Sequence, residues 1–142
     1  LIPKMSEEAL RMVSPVIHMR RTALEDTELN GQRIAKDEKV VLWYGSANRD
    51  DRVFPNPDIF NMHRVNAEKH LAFGHGVHKC LGSRIAKMQL RLAFERIFER
   101  FPNIVWTGKQ TISPNALVHA ISSLQVNLYG FNGKRPAQVT VK

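Results

Sequence analysis

The chain has 142 residues, a formal net charge of +8, 43% hydrophobic residues and one cysteine. That length and apolar content suffice for one modest domain with a core, while a lone cysteine excludes an internal disulfide framework and suits a reducing compartment. No apolar run reaches the roughly 20 residues that a bilayer-spanning helix needs, and no solenoid, collagen or coiled-coil repeat recurs.

In chain order, a helix is predicted over residues 6–12 with Ser6 as its N-cap. Glu8 and Arg11, three apart, share a face of that helix and can pair; taken alone, such a pair is a solvated contact of small worth. Pro15 breaks the helix, and residues 16–23 read as an extended strand in which Arg20 and Arg21 are, by residue type, an exposed basic pair. Residues 27–29 and 32–34 flank Asn30-Gly31, a dipeptide suited to a tight hairpin turn with positive φ. Residues 39–44 form an apolar run of strand length and predict a buried strand. A polar stretch, residues 46–50, follows; Pro55, Pro57 and the loss of periodicity then predict an irregular meander. Leu81, Ile85, Met88 and Leu92 recur at helical spacing, so a second helix is predicted over residues 81–101, ending before Pro102. Residues 113–120 and 124–128 predict another small hairpin. The basic residues 130–142 read as a poorly ordered tail.

Cys80 stands in Phe73-Gly74-His75-Gly76-Val77-His78-Lys79-Cys80-Leu81-Gly82, a glycine-rich run that opens the second helix. A single cysteine serves either as a small buried hydrophobe or as a thiolate. The run favours the thiolate: Gly76 and Gly82 remove side chains on both sides of the sulfur, so a large flat ligand can approach the backbone. A helix N-terminus adds unpaired N–H groups and a favourable dipole. His75 and His78, with His63 and His70 upstream, raise a zinc site as a competitor. No second cysteine pair or regularly spaced histidine pair completes a tetrahedral set.

The spacing of Phe73, Gly76, His78, Cys80 and Gly82 resembles the cysteine-ligand loop of the cytochrome P450 family, the haem-thiolate monooxygenases. The likeness covers Pro3 to about Tyr129. Glu8-Ala9-Leu10-Arg11 resembles the family's Glu-x-x-Arg helix, and Asn56-Pro57-Asp58-Ile59-Phe60-Asn61-Met62-His63-Arg64 resembles its following loop. The resemblance implies a structural triad of Glu8, Arg11 and Arg64. It also implies a mainly α fold with small β-sheets, of which residues 1–142 are the C-terminal, proximal haem-binding portion of a single domain.

The implied cofactor is haem b (iron protoporphyrin IX), with Cys80 as the metal ligand and catalytic residue. Phe73, Gly76, His78 and Gly82 would surround it, Arg21 would bond one propionate, and His78 would serve the other. An arginine suits that task because its planar fork pairs with a carboxylate. Val16, Ile17 and His18, with Leu117 and Val118 from the hairpin turn, would line the substrate pocket; the family's turn carries glycine near Ala120. Lys79, Arg84, Lys87 and Arg91 would form the surface that receives a ferredoxin, itself reduced by an NAD(P)H-dependent reductase.

Dioxygen and a small hydrophobic substrate are the other implied partners. The segments 19–29, 43–44 and 46–50 look most like the bacterial branch that hydroxylates alkanes or fatty acids at the terminal carbon. Sterol side-chain and terpenoid hydroxylation are alternatives in the same family, and a non-catalytic haem-binding or electron-transfer remnant is the alternative of another class. The net charge raises nucleic-acid binding, but the basic residues are spread along the chain with no recognition helix or stacking motif, so no nucleic acid is expected. The resemblance further implies a cytoplasmic protein. The start at Leu1, and the lack of a counterpart to the family's long distal helix, mark the chain as an expected C-terminal third of a longer enzyme.

Overall fold

A computed structural model describes residues 1–130. It begins with helix α1, Ile2–Val13, one turn earlier than the cap signal at Ser6 predicts. Pro3 accounts for the difference: its fixed φ suits the first helical turn, where its missing N–H goes unused. Ser6 is therefore interior, buried, with its hydroxyl donating to the Ile2 carbonyl at 3.0 Å. The helix closes on Ser14 in the left-handed conformation (φ 44°), whose N–H bonds back to Leu10 O at 3.0 Å, and Pro15 blocks continuation.

Strands β1 (His18–Thr22) and β4 (Lys39–Trp43) pair antiparallel, with His18 opposite Trp43 and Thr22 opposite Lys39. Between them, β2 (Thr27–Leu29) and β3 (Gln32–Ile34) make the expected hairpin. Asn30 and Gly31 turn it with φ of 50° and 80°, the paired positive values that match strand twist. The burial expected of residues 39–44 fails for most of the run. Val41, Leu42 and Trp43 are exposed, because β4 pairs with β1 alone in a two-stranded ribbon. Tyr44 is buried and starts a short helix, α2 (Tyr44–Ala47), instead of ending the strand.

Helix α3 runs Ser83–Arg100, inside the predicted bounds. Its predicted apolar stripe is real as a pattern but is not buried: Leu81 is 99% exposed, and Ile85, Met88 and Leu92 are also exposed. The helix lies against α1 through its other side. The last hairpin is displaced from its predicted position. Its strands are β5 (Val105–Ser113) and β6 (Ala120–Asn127), and residues 114–119, most of the predicted first strand, are the connection, bent by Asn115, whose side-chain oxygen accepts the Leu117 and Val118 N–H groups. Thr107, Gly108, Lys109 and Gln110 hide β5 in the sequence, since they break apolar alternation. A bridge between Val16 and Val118, and the Ile17 N–H donating to Leu117 O at 2.8 Å, fasten this connection to the entry of β1. The predicted tail lies outside the described residues, apart from Gly130.

The interior is unusually polar. Tyr44, Phe54, Ala67 and Ala72 are its buried apolar members, and Glu8, Arg11, Asn48, Arg64 and His70 are buried among the charged and polar ones. Burial of such groups is tolerated only when each finds a partner, and here each does.

Candidate active site

Glu8 is the hub of the interior. Its carboxylate accepts two bonds from Arg11, from Nε at 2.8 Å and Nη2 at 2.9 Å, the forked geometry that suits a guanidinium. Arg64 Nε reaches both carboxylate oxygens, at 3.0 and 3.1 Å, and the Asn61 N–H adds a bond at 3.0 Å. The remaining guanidinium N–H groups are taken by main-chain carbonyls: Arg11 donates to Asn48 O at 2.8 Å, and Arg64 to Pro55 O at 2.7 Å and Asn56 O at 3.1 Å. Glu8 and Arg11 of α1 and the distant Arg64 thus clamp α1 to the meander. Burial works against ionisation of Glu8, but the bonds from Arg11, Asn61 and Arg64 outweigh it and pull the carboxyl from its ordinary 4.5 down to about 2.

Asn48, not singled out from sequence, links this knot to the cysteine loop. Its amide nitrogen donates to Ser14 Oγ at 2.9 Å and its oxygen accepts the Leu71 N–H at 2.6 Å. The chain then folds through a tight loop. Gly74 N–H donates to Leu71 O at 2.8 Å, Lys79 N–H to Gly76 O at 3.1 Å, and Cys80 N–H to Phe73 O at 2.8 Å. Gly74 holds φ 71°, and a Cβ there would lie 3.3 Å from the Tyr44 hydroxyl; both facts demand glycine. Cys80 is exposed and lies ahead of α3, whose N-cap is Gly82.

The loop faces a cleft of about 460 Å³. Phe73, Gly74, His78 and Cys80 form one wall; Val16, Met19 and Arg21 form another. Strand alternation explains the second wall: Met19 and Arg21 point to one side of β1, and Arg20 to the other. Leu10, Pro15, Tyr44 and Ala72 complete the lining. Of these, Met19 and Tyr44 enter the sequence reading only as parts of segments such as 19–29 and 43–44, and Ala72 not at all; none is marked there as a cleft residue, since each looks like an ordinary scaffold residue until the chain folds.

Other predicted site residues lie near but not on the cleft. Ile17 bonds to the hairpin connection that carries Leu117 and Val118, and His18 turns away to stack on Trp43, ring centroids 5.0 Å apart. Gly76 and Gly82 flank the cysteine along the chain without lining the cleft. A Cβ at Gly82 would meet only Cys80 Sγ, at 3.9 Å, an ordinary contact. The protein's own packing therefore gives no reason for a glycine there.

Of the four predicted docking cations, Lys79 and Arg84 are exposed with no ion pair among the described residues. Arg91 lies 3.7 Å from Glu95. Lys87 is drawn inward: its Nζ is 2.8 Å from Glu7 and lies over the Phe73 ring at 5.9 Å. Among the described residues no three His, Cys, Asp or Glu side chains gather to hold a metal ion, and both ring nitrogens of His70 are already bonded, to Glu7 and to the Ala72 N–H.

The donor set around the cleft is one sulfur, two nitrogen-bearing side chains and apolar walls. Such a lining could take a flat, largely apolar group that carries a metal and an acidic edge. The Cytochrome P450 family profile matches residues 1–128. A linalool 8-monooxygenase of Pseudomonas putida is 44% identical over 128 residues, covering 90% of this chain and 31% of that protein. A methyl-branched lipid omega-hydroxylase of Mycobacterium bovis is 41% identical over 127 residues, 89% of this chain and 29% of the relative. In structure, cytochrome P450-153 from Novosphingobium aromaticivorans superposes with a TM-score of 0.82 at 46% identity, over 88% of this chain and 32% of that one. The chain spans about 30% of the length of these relatives.

Proposed function

This chain belongs to the cytochrome P450 family, whose cofactor is haem, and from that premise we propose that the full-length protein is a monooxygenase placing one oxygen atom of dioxygen into an unactivated C–H bond of an aliphatic substrate. The observation that carries this reading is the cleft on which Cys80, His78 and Arg21 converge between apolar walls. Cys80 would supply the sulfur that ligates the haem iron, and Arg21 and His78 would hold the haem's carboxylates. Bound there, haem supplies oxygen activation, which a thiolate ligand promotes by pushing electron density toward O–O cleavage.

The protein's own part is positional. The Cys80 N–H on Phe73 O fixes the loop that aims the sulfur, and the Glu8 knot fixes the meander beneath it. Val16 lines the cleft beside β1, and Ile17, bonded to the hairpin connection that carries Leu117 and Val118, would bring those residues to the substrate; His18, stacked on Trp43, is left out of that lining. An apolar lining suits an aliphatic chain, and terminal hydroxylation of an alkane or fatty acid is the reading we favour. The name of the linalool 8-monooxygenase relative supports a terpenoid as the second. Electrons come from a ferredoxin that docks on the face bearing Lys79 and Arg84. No helix among the described residues is long and apolar enough to cross a membrane.

The test is Cys80→Ser in the haem-loaded full-length protein. Loss of the red-shifted ferrous–CO absorption band is the expected result; a variant that keeps the band refutes Cys80 as ligand.

A further inference from the structure

Glu7, His70 and Lys87 form a cluster outside the cleft that the proposed reaction does not use. The His70 side chain is 2% exposed and joins two elements. Its Nδ1 accepts the Ala72 N–H at 3.1 Å, and its Nε2 lies 3.1 Å from Glu7 Oε2. A backbone N–H can only donate, so Nδ1 carries no proton and Nε2 is the ring's donor. The contact with Glu7 is thus a directed hydrogen bond from a neutral imidazole, and its direction is set by the loop. Lys87 Nζ, from α3, meets the same Glu7 oxygen at 2.8 Å. Burial raises the Glu7 carboxyl, but the bonds from His70 and Lys87 more than offset it and hold the group ionised below its ordinary 4.5.

The cluster leads to the sulfur through covalent neighbours and one hydrogen bond. Ala72, held by His70, precedes Phe73, whose carbonyl accepts the Cys80 N–H at 2.8 Å. The Phe73 ring is itself flanked by His70, at 5.8 Å between centroids, and by Lys87. The segment that carries the Cys80 acceptor is therefore aimed by side chains from α1 and α3.

We propose that Glu7 and His70 are positioning residues for Cys80: the hydrogen-bond chain Glu7–His70–Ala72 sets the peptide whose carbonyl holds the cysteine amide, and so sets the direction of the sulfur. The inference rests on Cys80 being the ligand.

The test compares His70→Phe with His70→Asn in the haem-loaded full-length protein. The phenyl ring keeps bulk and loses both bonds, whereas the asparagine oxygen stands close to the position of Nδ1 and keeps the Ala72 bond. His70→Phe is expected to accelerate exchange of the Cys80 amide roughly five- to tenfold, the scale of one net hydrogen bond, and to enlarge the blue-shifted share of the ferrous–CO spectrum. His70→Asn, which keeps the Ala72 bond and loses only the one to Glu7, is expected to fall between His70→Phe and the unmodified protein in both. The Asn61 amide, bonded to Glu8, serves as the internal reference and is expected to stay unchanged. Equal acceleration at Asn61 and Cys80 means general loosening and overturns the proposal, as does an unchanged Cys80 amide. Should His70→Phe not fold, Glu7→Leu against Glu7→Gln makes the same decision: only the leucine variant, which leaves Nε2 without an acceptor, is expected to shift. An unmodified protein lacking the red-shifted CO band refutes the ligand assignment instead, and the amide-exchange comparison remains readable on its own.

Discussion

At the scale of the residue, Glu8 shows how burial and charge are reconciled. A carboxylate at 0% exposure is tolerable because two guanidinium groups and an amide surround it. Unfolded, Glu8 takes up a proton near its ordinary 4.5; folded, it does so near 2. Between those values the unfolded chain binds more protons, so folding stability falls as the pH falls. We predict full support from this group above pH 4.5 and its progressive loss toward pH 2, on the order of 3 kcal/mol in all. Urea midpoints measured across that window check it, and in Glu8→Gln the acid-dependent part of the loss is expected to shrink. Sequence made Glu8 and Arg11 a plausible surface pair; that Arg64 shares the same carboxylate was implied by resemblance and not by spacing, since 56 positions separate Glu8 from Arg64.

At the scale of elements, the molecule is held together by side chains that bond to the main chain of distant segments. Asn48 is the clearest case, tying the end of α1 through Ser14 to the start of the cysteine loop at Leu71. Asn48→Ala leaves the Leu71 N–H and the Ser14 hydroxyl with a lost partner in a buried site. We expect destabilisation of about 1–3 kcal/mol, read from thermal or urea unfolding, with faster amide exchange at Leu71. Helices, strands and the Asn30-Gly31 turn were largely legible because periodicity and turn chemistry are local. The start of α1 shifted because a proline in the first turn outweighed a serine cap, and β5 was missed because its central residues carry no apolar alternation.

At the scale of the whole molecule, charge and exposed apolar surface stand out. The face bearing Lys79 and Arg84 retains cations with no ion pair among the described residues, while Lys87 is committed to Glu7. If an acidic electron donor docks there, Lys79→Glu combined with Arg84→Glu is expected to slow reduction by ferredoxin roughly tenfold or more at low salt and to flatten its salt dependence. Stopped-flow reduction at several ionic strengths checks this, and an unchanged rate argues for a different docking face. The exposed run of Leu81, Ile85, Met88 and Leu92 belongs to the same scale. Its helical spacing was readable, but what covers a stripe depends on neighbouring chain, and this chain spans about 30% of its relatives' length.

By itself, the sequence determined the cysteine loop, the order and type of most elements, and the family, because motif spacing and local periodicity are written along the chain. Tertiary structure alone decided which side chains share a cleft and which polar groups go inside. Met19 and Tyr44 reach the cleft wall only through strand alternation and the turn after β4. His70, Asn48 and Glu7 became structural only when folding removed water from them, since a buried polar group must take whatever partner the fold brings within reach. No spacing along one chain encodes that distance.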